Sequence, residues 1–179
     1  MTTEDRPTML DHYARAVHAT NLVSKPDTRT SNTDVLGAHA LAAKKLPLGV
    51  ALLRLFVGDN HAAARIVEIL AEKAVGKAFR MGNEIGLVEA EDLARAVLAW
   101  HRDSRCKACG GHGLKLIPGT TTLGNEPCRP CKGSGRIVLS RHVPMVRLEL
   151  ANWLVAEVER EQAKAGPEAM KLLAPKLDL

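Results

Sequence analysis

Apolar residues recur at helical spacing through most of the chain, and the breaks in that rhythm mark where each element should end. Near the N-terminus, Leu10, Tyr13, Ala14 and Val17 fall at i, i+3, i+4 and i+7, the spacing of one short amphipathic helix. The rest of residues 1–32 is rich in Thr, Asp, Ser and Asn and carries no such stripe, so it reads as a flexible polar arm. Asn32, Thr33 and Asp34 offer side-chain oxygens that suit the start of an alanine-rich helix over Val35–Lys44. Pro47 opens a second helix, where its missing N–H would be unpaired anyway, and that helix runs through Leu53 and Phe56 to Gly58. Asp59 and Asn60 begin a third, whose Ala63, Ile66, Val67, Leu70, Ala74 and Ala78 keep to one stripe until Gly82. A fourth begins near Glu89. Its first turn holds Glu89, Glu91 and Asp92, where the helix dipole favours anions, and its stripe is Leu93, Val97 and Trp100.

After Ser104 the rhythm changes. Glycine and proline become frequent, and two short alternating runs, Leu114–Ile117 and Arg136–Leu139, read as a pair of strands. Helical spacing returns over Ser140–Gly166, with Val146, Leu150, Trp153 and Leu154 on one face. Gly166-Pro167 should break that helix and leave a short tail. The expectation is a mainly α fold: a helical bundle with a small inserted module that contains a β-hairpin. Residues 1–32 form the arm, 33–104 the helical core, 105–140 the module, and 141–179 a C-terminal helix and tail packed on the core.

Composition removes several classes. With 46% hydrophobic and 25% charged residues the chain resembles an ordinary globular protein. Its longest uncharged apolar run, Leu46–Leu53, is far shorter than the ~18 residues that would suggest a membrane span. MTTEDRPTML lacks the layout of a signal peptide, so a cytoplasmic protein without a membrane partner is expected. Aromatic residues make up only 3%, too few for a platform on which single-stranded bases stack. No P-loop, G-x-G-x-x-G, H-E-x-x-H or G-x-S-x-G motif is present. Neither an enzyme nor a small-molecule substrate is therefore expected.

All four cysteines lie in the module, as Cys106-Lys-Ala-Cys109-Gly-Gly-His-Gly and Cys128-Arg-Pro-Cys131-Lys-Gly-Ser-Gly. Both halves read C-x-x-C-x-G-x-G. Two residues between thiols let one tight turn aim both sulfurs at a single ion, and two such turns complete the tetrahedral four-sulfur shell that Zn²⁺ prefers. The glycines allow the positive φ needed to fold back, with N–H groups directed at the thiolates. One structural zinc ion held by Cys106, Cys109, Cys128 and Cys131 is expected, with iron the competing metal and His112 left outside the shell. Four protein ligands leave no coordination position for a substrate water.

Charge gathers on the same segment. From Arg102 to Arg141 there are eight cations and two anions, while the residues from Val143 onward carry five cations and six anions. A basic surface around a rigid module fits contact with a phosphate backbone. The candidates are Arg105, Lys107, Arg129, Lys132 and Arg136, with Arg141 and Arg147 near the start of the last helix.

The duplicated C-x-x-C-x-G-x-G is similar to the cysteine-rich region of DnaJ-type chaperones, but those carry four repeats and a His-Pro-Asp motif absent here. The chain more closely resembles the lambda Q-like family of phage late-gene antitermination proteins, which set one two-knuckle zinc module between helical segments. Other shared landmarks are the polar arm, Thr33-Asp34-Val35 opening an alanine-rich helix, and Gly76-Lys77 with Phe79 and Arg80 at the end of the next. The resemblance covers residues 31–140. It implies a regulator that binds double-stranded DNA at a late promoter, engages bacterial RNA polymerase holoenzyme with its sigma factor, and carries it through terminators. A zinc-dependent DNA-binding regulator without antitermination activity is the alternative, followed by a DnaJ-like peptide binder. Lambda-type relatives carry a helix-turn-helix-like pair after the second knuckle. In its place this sequence predicts one long helix, so either Ser140–Leu150 supplies the DNA-facing helix directly or bases are read differently; Arg141 and Arg147 are the first candidates for contact there.

Overall fold

The computed structural model describes residues 9–20, 32–117, 119–120 and 122–177, with the backbone alone for Met9, Leu10, Asn32 and residues 174–177. Residues 1–8 and 21–31 of the expected arm lie outside the described residues. Six α-helices and one antiparallel hairpin follow in order: α1 (Met9–Val17), α2 (Asn32–Lys45), α3 (Pro47–Phe56), α4 (Ala62–Arg80), α5 (Leu87–Arg102), β1 (Leu114–Leu116), β2 (Leu123–Pro127) and α6 (Leu148–Leu177). The fold is mainly α, with the cysteine module and its hairpin between α5 and α6. Among the described residues, no helix is long and apolar enough to cross a membrane. The chain forms two units, Met1–Ile69 with Ala156–Leu179, and Leu70–Val155; α4 and α6 each run from one into the other.

In the first unit, Tyr13 and Ala16 of α1 join Val35, Ala38, Ala42, Val50, Leu53, Ala165, Ala169 and Leu173 in one buried cluster. Small side chains allow close approach. A Cβ on Gly49 of α3 would stand 2.4 Å from the Glu161 carbonyl oxygen of α6, so only glycine fits there. The amphipathic stripe near the N-terminus thus becomes a helix that contributes to this core. His39 is 2% exposed, and both its ring nitrogens lack a hydrogen-bond partner among the described residues. Its ring lies 3.8 Å from that of Tyr13, and burial lowers its pKa to about 4.

The expected break at Gly166-Pro167 does not occur: α6 continues to Leu177. Proline inside a helix costs about 3 kcal/mol by removing a hydrogen bond and crowding the preceding turn. Here Ala165, Ala169 and Leu173 are buried on either side of it, and Lys45 holds Glu168 at 2.8 Å. Tertiary burial outweighs the local penalty, and the exposed Ala163, whose carbonyl would have accepted the missing bond, can turn that oxygen to water.

In the second unit, α4 ends at Gly82 (φ +71°), with Asn83 N–H donating to the Ala78 carbonyl and Gly82 N–H to that of Phe79, the paired bonds of a glycine stop. The last helix starts at Leu148 rather than Ser140. Leu139–Arg141 and Met145–Arg147 form separate 3₁₀ turns. Between them Pro144 is extended at ψ 143°, and a proline also disfavours helix in the residue before it. Val146, expected on the buried face, is 81% exposed, whereas Leu150 and Leu154 are buried.

The hairpin also differs from expectation. Leu114–Leu116 pairs with Leu123–Pro127, in register Leu114 to Pro127, and Arg136 makes only an isolated bridge to Arg105. The reason lies in the knuckles. Leu114 directly follows the first and Pro127 directly precedes the second, so bringing the cysteines together sets these two residues opposite each other.

Candidate metal centre

The two knuckles are near copies related by a shift of 22 residues. In each, the chain turns through three positive-φ residues: Gly110 (62°), Gly111 (96°) and Gly113 (77°) in the first, Lys132 (52°), Gly133 (87°) and Gly135 (73°) in the second. Gly111 N–H donates to the Cys106 carbonyl, and Gly133 N–H to that of Cys128. Each knuckle also closes on the other. Cys106 N–H donates to the Gly135 carbonyl at 2.8 Å, and Cys128 N–H to the Gly113 carbonyl at 2.7 Å. A Cβ on Gly113 would stand 2.2 Å from the Gly133 oxygen, and one on Gly135 would stand 2.2 Å from the Gly111 oxygen. These glycines are required by close backbone approach as well as by φ.

The result is a cluster of Cys106, Cys109, Cys128 and Cys131, all buried, whose sulfurs lie within 4.8 Å of one another. Sulfurs held around one ion at about 2.3 Å, the length of a zinc–thiolate bond, stand about 3.8 Å apart in a regular tetrahedron. The separations here are 3.9 Å for Cys106–Cys128 and 3.8 Å for Cys109–Cys131. The four cysteines can therefore hold one metal ion. Gly113 N–H points at the Cys109 sulfur from 3.3 Å, a donor that offsets thiolate charge. His112 is exposed and outside the cluster.

The electrostatics suit a cation. Burial raises the Cys109 thiol, but the N–H groups of Gly113 and Gly111 and the neighbouring thiols outweigh it, lowering the pKa to about 7. Cys128, with burial the largest cause, is pushed up to about 12. A divalent ion held here would bind the thiolate form of the cysteines, so loading would release protons. The module is anchored by Trp100 of α5, whose indole N–H donates to the Ile137 carbonyl at 2.6 Å, and by Ile137 N–H, which donates to the Ser104 carbonyl at 2.7 Å.

The basic candidates separate into two groups. Lys107 and Arg105 both pair with Asp103, whose carboxyl is held below its usual range chiefly by the Lys107 hydrogen bond. Lys115 pairs with Glu126 across the hairpin at 3.2 Å. Arg147 is drawn away from solvent: it donates to Glu89 at 2.7 and 3.0 Å and to the Glu84 carbonyl at 3.0 Å. By contrast, Arg129, Lys132, Arg136 and Arg141 are exposed, with no ion pair to the described residues. Lys132 is the single non-glycine residue at positive φ among the described residues. For a residue with a Cβ, that conformation costs on the order of 1 kcal/mol.

Sequence spacing pointed to the ligands and the glycines. It missed Asp103 as a counter-ion, although the four-residue step to Lys107 was a signal, and it missed Trp100 as the anchor. The landmark residues of α4 are placed plainly: Lys77 lies 5.6 Å from the centre of the Trp153 ring, and Phe79 is 80% exposed. Compared with protein-family models, curated proteins and solved structures, the chain matches none.

Proposed function

We propose that this protein is a bacteriophage late-gene transcription antitermination factor. It acts in the bacterial host cytoplasm, binds double-stranded DNA at the late promoter, engages RNA polymerase holoenzyme with its sigma factor, and lets the enzyme read through terminators. The observation that carries the reading is the cross-bonded pair of C-x-x-C-x-G-x-G knuckles, set between helices and bearing exposed cations without an ion pair among the described residues. The resemblance of residues 31–140 to the lambda Q-like family supplies the polymerase partner.

Cys106, Cys109, Cys128 and Cys131 hold one zinc ion, whose contribution is structural. An all-thiolate tetrahedron favours zinc, and four protein ligands leave no open position for hydrolytic chemistry. The module's task is then to hold a rigid positive surface, which fits a binding protein rather than an enzyme. Phosphate contacts give affinity and orientation without base specificity.

The test is a reconstituted transcription assay, with the protein, polymerase holoenzyme and a late-promoter template followed by a terminator. Read-through that depends on the protein, with co-purification of holoenzyme, is expected. Promoter binding without read-through would instead make the protein a DNA-binding regulator. Capture of unfolded polypeptides with little salt dependence would make it a DnaJ-like binder.

A further inference from the structure

The near-symmetry of the knuckles allows a position-by-position comparison, and their charges differ. Lys107 and Arg129 are equivalent, each following the first cysteine of its pair. Lys107 has Asp103 as its counter-ion. The residue 22 positions after Asp103 is the neutral Asn125, and Arg129 has no ion pair to the described residues. Gly110 and Lys132 are equivalent too, each following the second cysteine. The first knuckle places glycine at this left-handed position (φ 62°), as backbone sterics favour, whereas the second places an exposed lysine there at φ 52°. Solubility alone does not call for a cation at an exposed turn position where a Cβ is disfavoured, because nearby positions at ordinary φ would carry it without strain. Arg136, just after the last glycine of the second knuckle, is a third exposed cation without an ion pair among the described residues.

We infer that the second knuckle alone, through Arg129, Lys132 and Arg136, is the edge that contacts the phosphates of a DNA duplex, while the first knuckle, whose cations Arg105 and Lys107 are engaged by Asp103, serves to complete the metal shell. The inference rests on the proposed DNA-binding function and assigns the residues that carry it. Phosphate oxygens match this edge because each can accept hydrogen bonds from a lysine ammonium or an arginine fork with no requirement for base identity. Backbone strain at Lys132 is retained because a glycine there would give up one of the three charges.

Binding of the full-length, metal-loaded protein to a mixed-sequence DNA duplex, measured across a salt series, tests this. Lys132→Gly removes one positive charge and relieves the backbone. Its metal content should be unchanged, its affinity several-fold lower, and its log–log salt slope shallower by about 1. The combination Arg129→Ala, Lys132→Gly and Arg136→Ala should flatten the slope by about 3. A matched control, Asp103→Asn with Arg105→Gln and Lys107→Gln, also removes one net positive charge but alters the first knuckle; its slope should stay at the wild-type value. If the control and Lys132→Gly lose affinity equally, total charge acts rather than this edge, and the inference fails. It fails too if the second-knuckle variants bind the duplex normally, or normally but with weakened holoenzyme capture. If the wild-type protein does not bind the duplex even at low salt, the DNA-binding reading fails first.

Discussion

The helical cluster around α2, α3 and α6 and the cysteine module are held by opposite means. In the cluster, alanines, valines and leucines at helical spacing remove apolar surface from water, and stability is spread over many contacts. In the module the buried set is four cysteines with Ile137 packed against them, and order depends on four sulfurs and a few glycine N–H groups. Dispersed burial can lose one member and survive. Four sulfurs brought together through mutual backbone bonds cannot, because each knuckle completes the other.

The largest effect should therefore come from one methyl group in the module. Gly113→Ala places a Cβ against the Gly133 oxygen at a φ of 77°, and the knuckles cannot close. Metal should be lost, and with it stabilisation on the order of 10 kcal/mol that ordered the segment. Far-UV circular dichroism should keep most of its helical amplitude while zinc content falls to zero. A variant that retains full metal would show that close approach is not what requires glycine here.

Gly49→Ala is the counterpart in the cluster. It brings a Cβ against the Glu161 carbonyl and the Ala165 Cβ, forcing α3 and α6 apart. A loss of about 1–3 kcal/mol is expected from overpacking, read as a lower urea midpoint, with metal content unchanged. Coupled loss of metal would mean that the two regions do not fail separately.

Acid provides a third contrast. The folded-state pKa of His39, about 4, lies below the unfolded value near 6.5. The unfolded chain thus binds the extra proton first. The cluster's stability is complete above pH 6.5 and is lost as pH falls towards 4, by up to about 3 kcal/mol. His39→Leu should abolish that slope in urea titrations between pH 7 and pH 5. It should also raise stability at pH 7 by about 1 kcal/mol, because two ring nitrogens without a partner among the described residues are removed. An unchanged slope would place the acid sensitivity elsewhere.

The smallest effect is expected at Arg147. Its hydrogen bonds hold the Glu89 carboxyl below the usual carboxylate range, so the pair contributes above that range and its contribution is lost as pH falls through the folded-state value. Arg147→Ala should lower the urea midpoint slightly at pH 7 and leave DNA affinity unchanged. A marked loss of DNA affinity would return Arg147 to the contact surface.

Much of this was legible in the chain because the signals were local. Gly58 and Gly82 mark helix ends, and the repeated cysteine–glycine spacing marks the cluster. What was hidden depended on distant partners. Pro167 reads as a breaker until the buried face around it is known. Leu123–Pro127, with glycine, asparagine and proline, has little strand propensity and pairs because the knuckles at its ends are held together. The role of Arg147 is invisible without Glu89, which lies 58 residues earlier. Asn125 and Lys132 become informative only when one knuckle is laid over the other.

The central claim, that four sulfurs grip one ion, is tested most directly by native mass spectrometry paired with thiol titration on the purified protein. One zinc ion per chain is expected, with no reactive thiol until a chelator is added and four afterwards. A chain without metal, whose cysteines react at once or are already joined in disulfides, would contradict it.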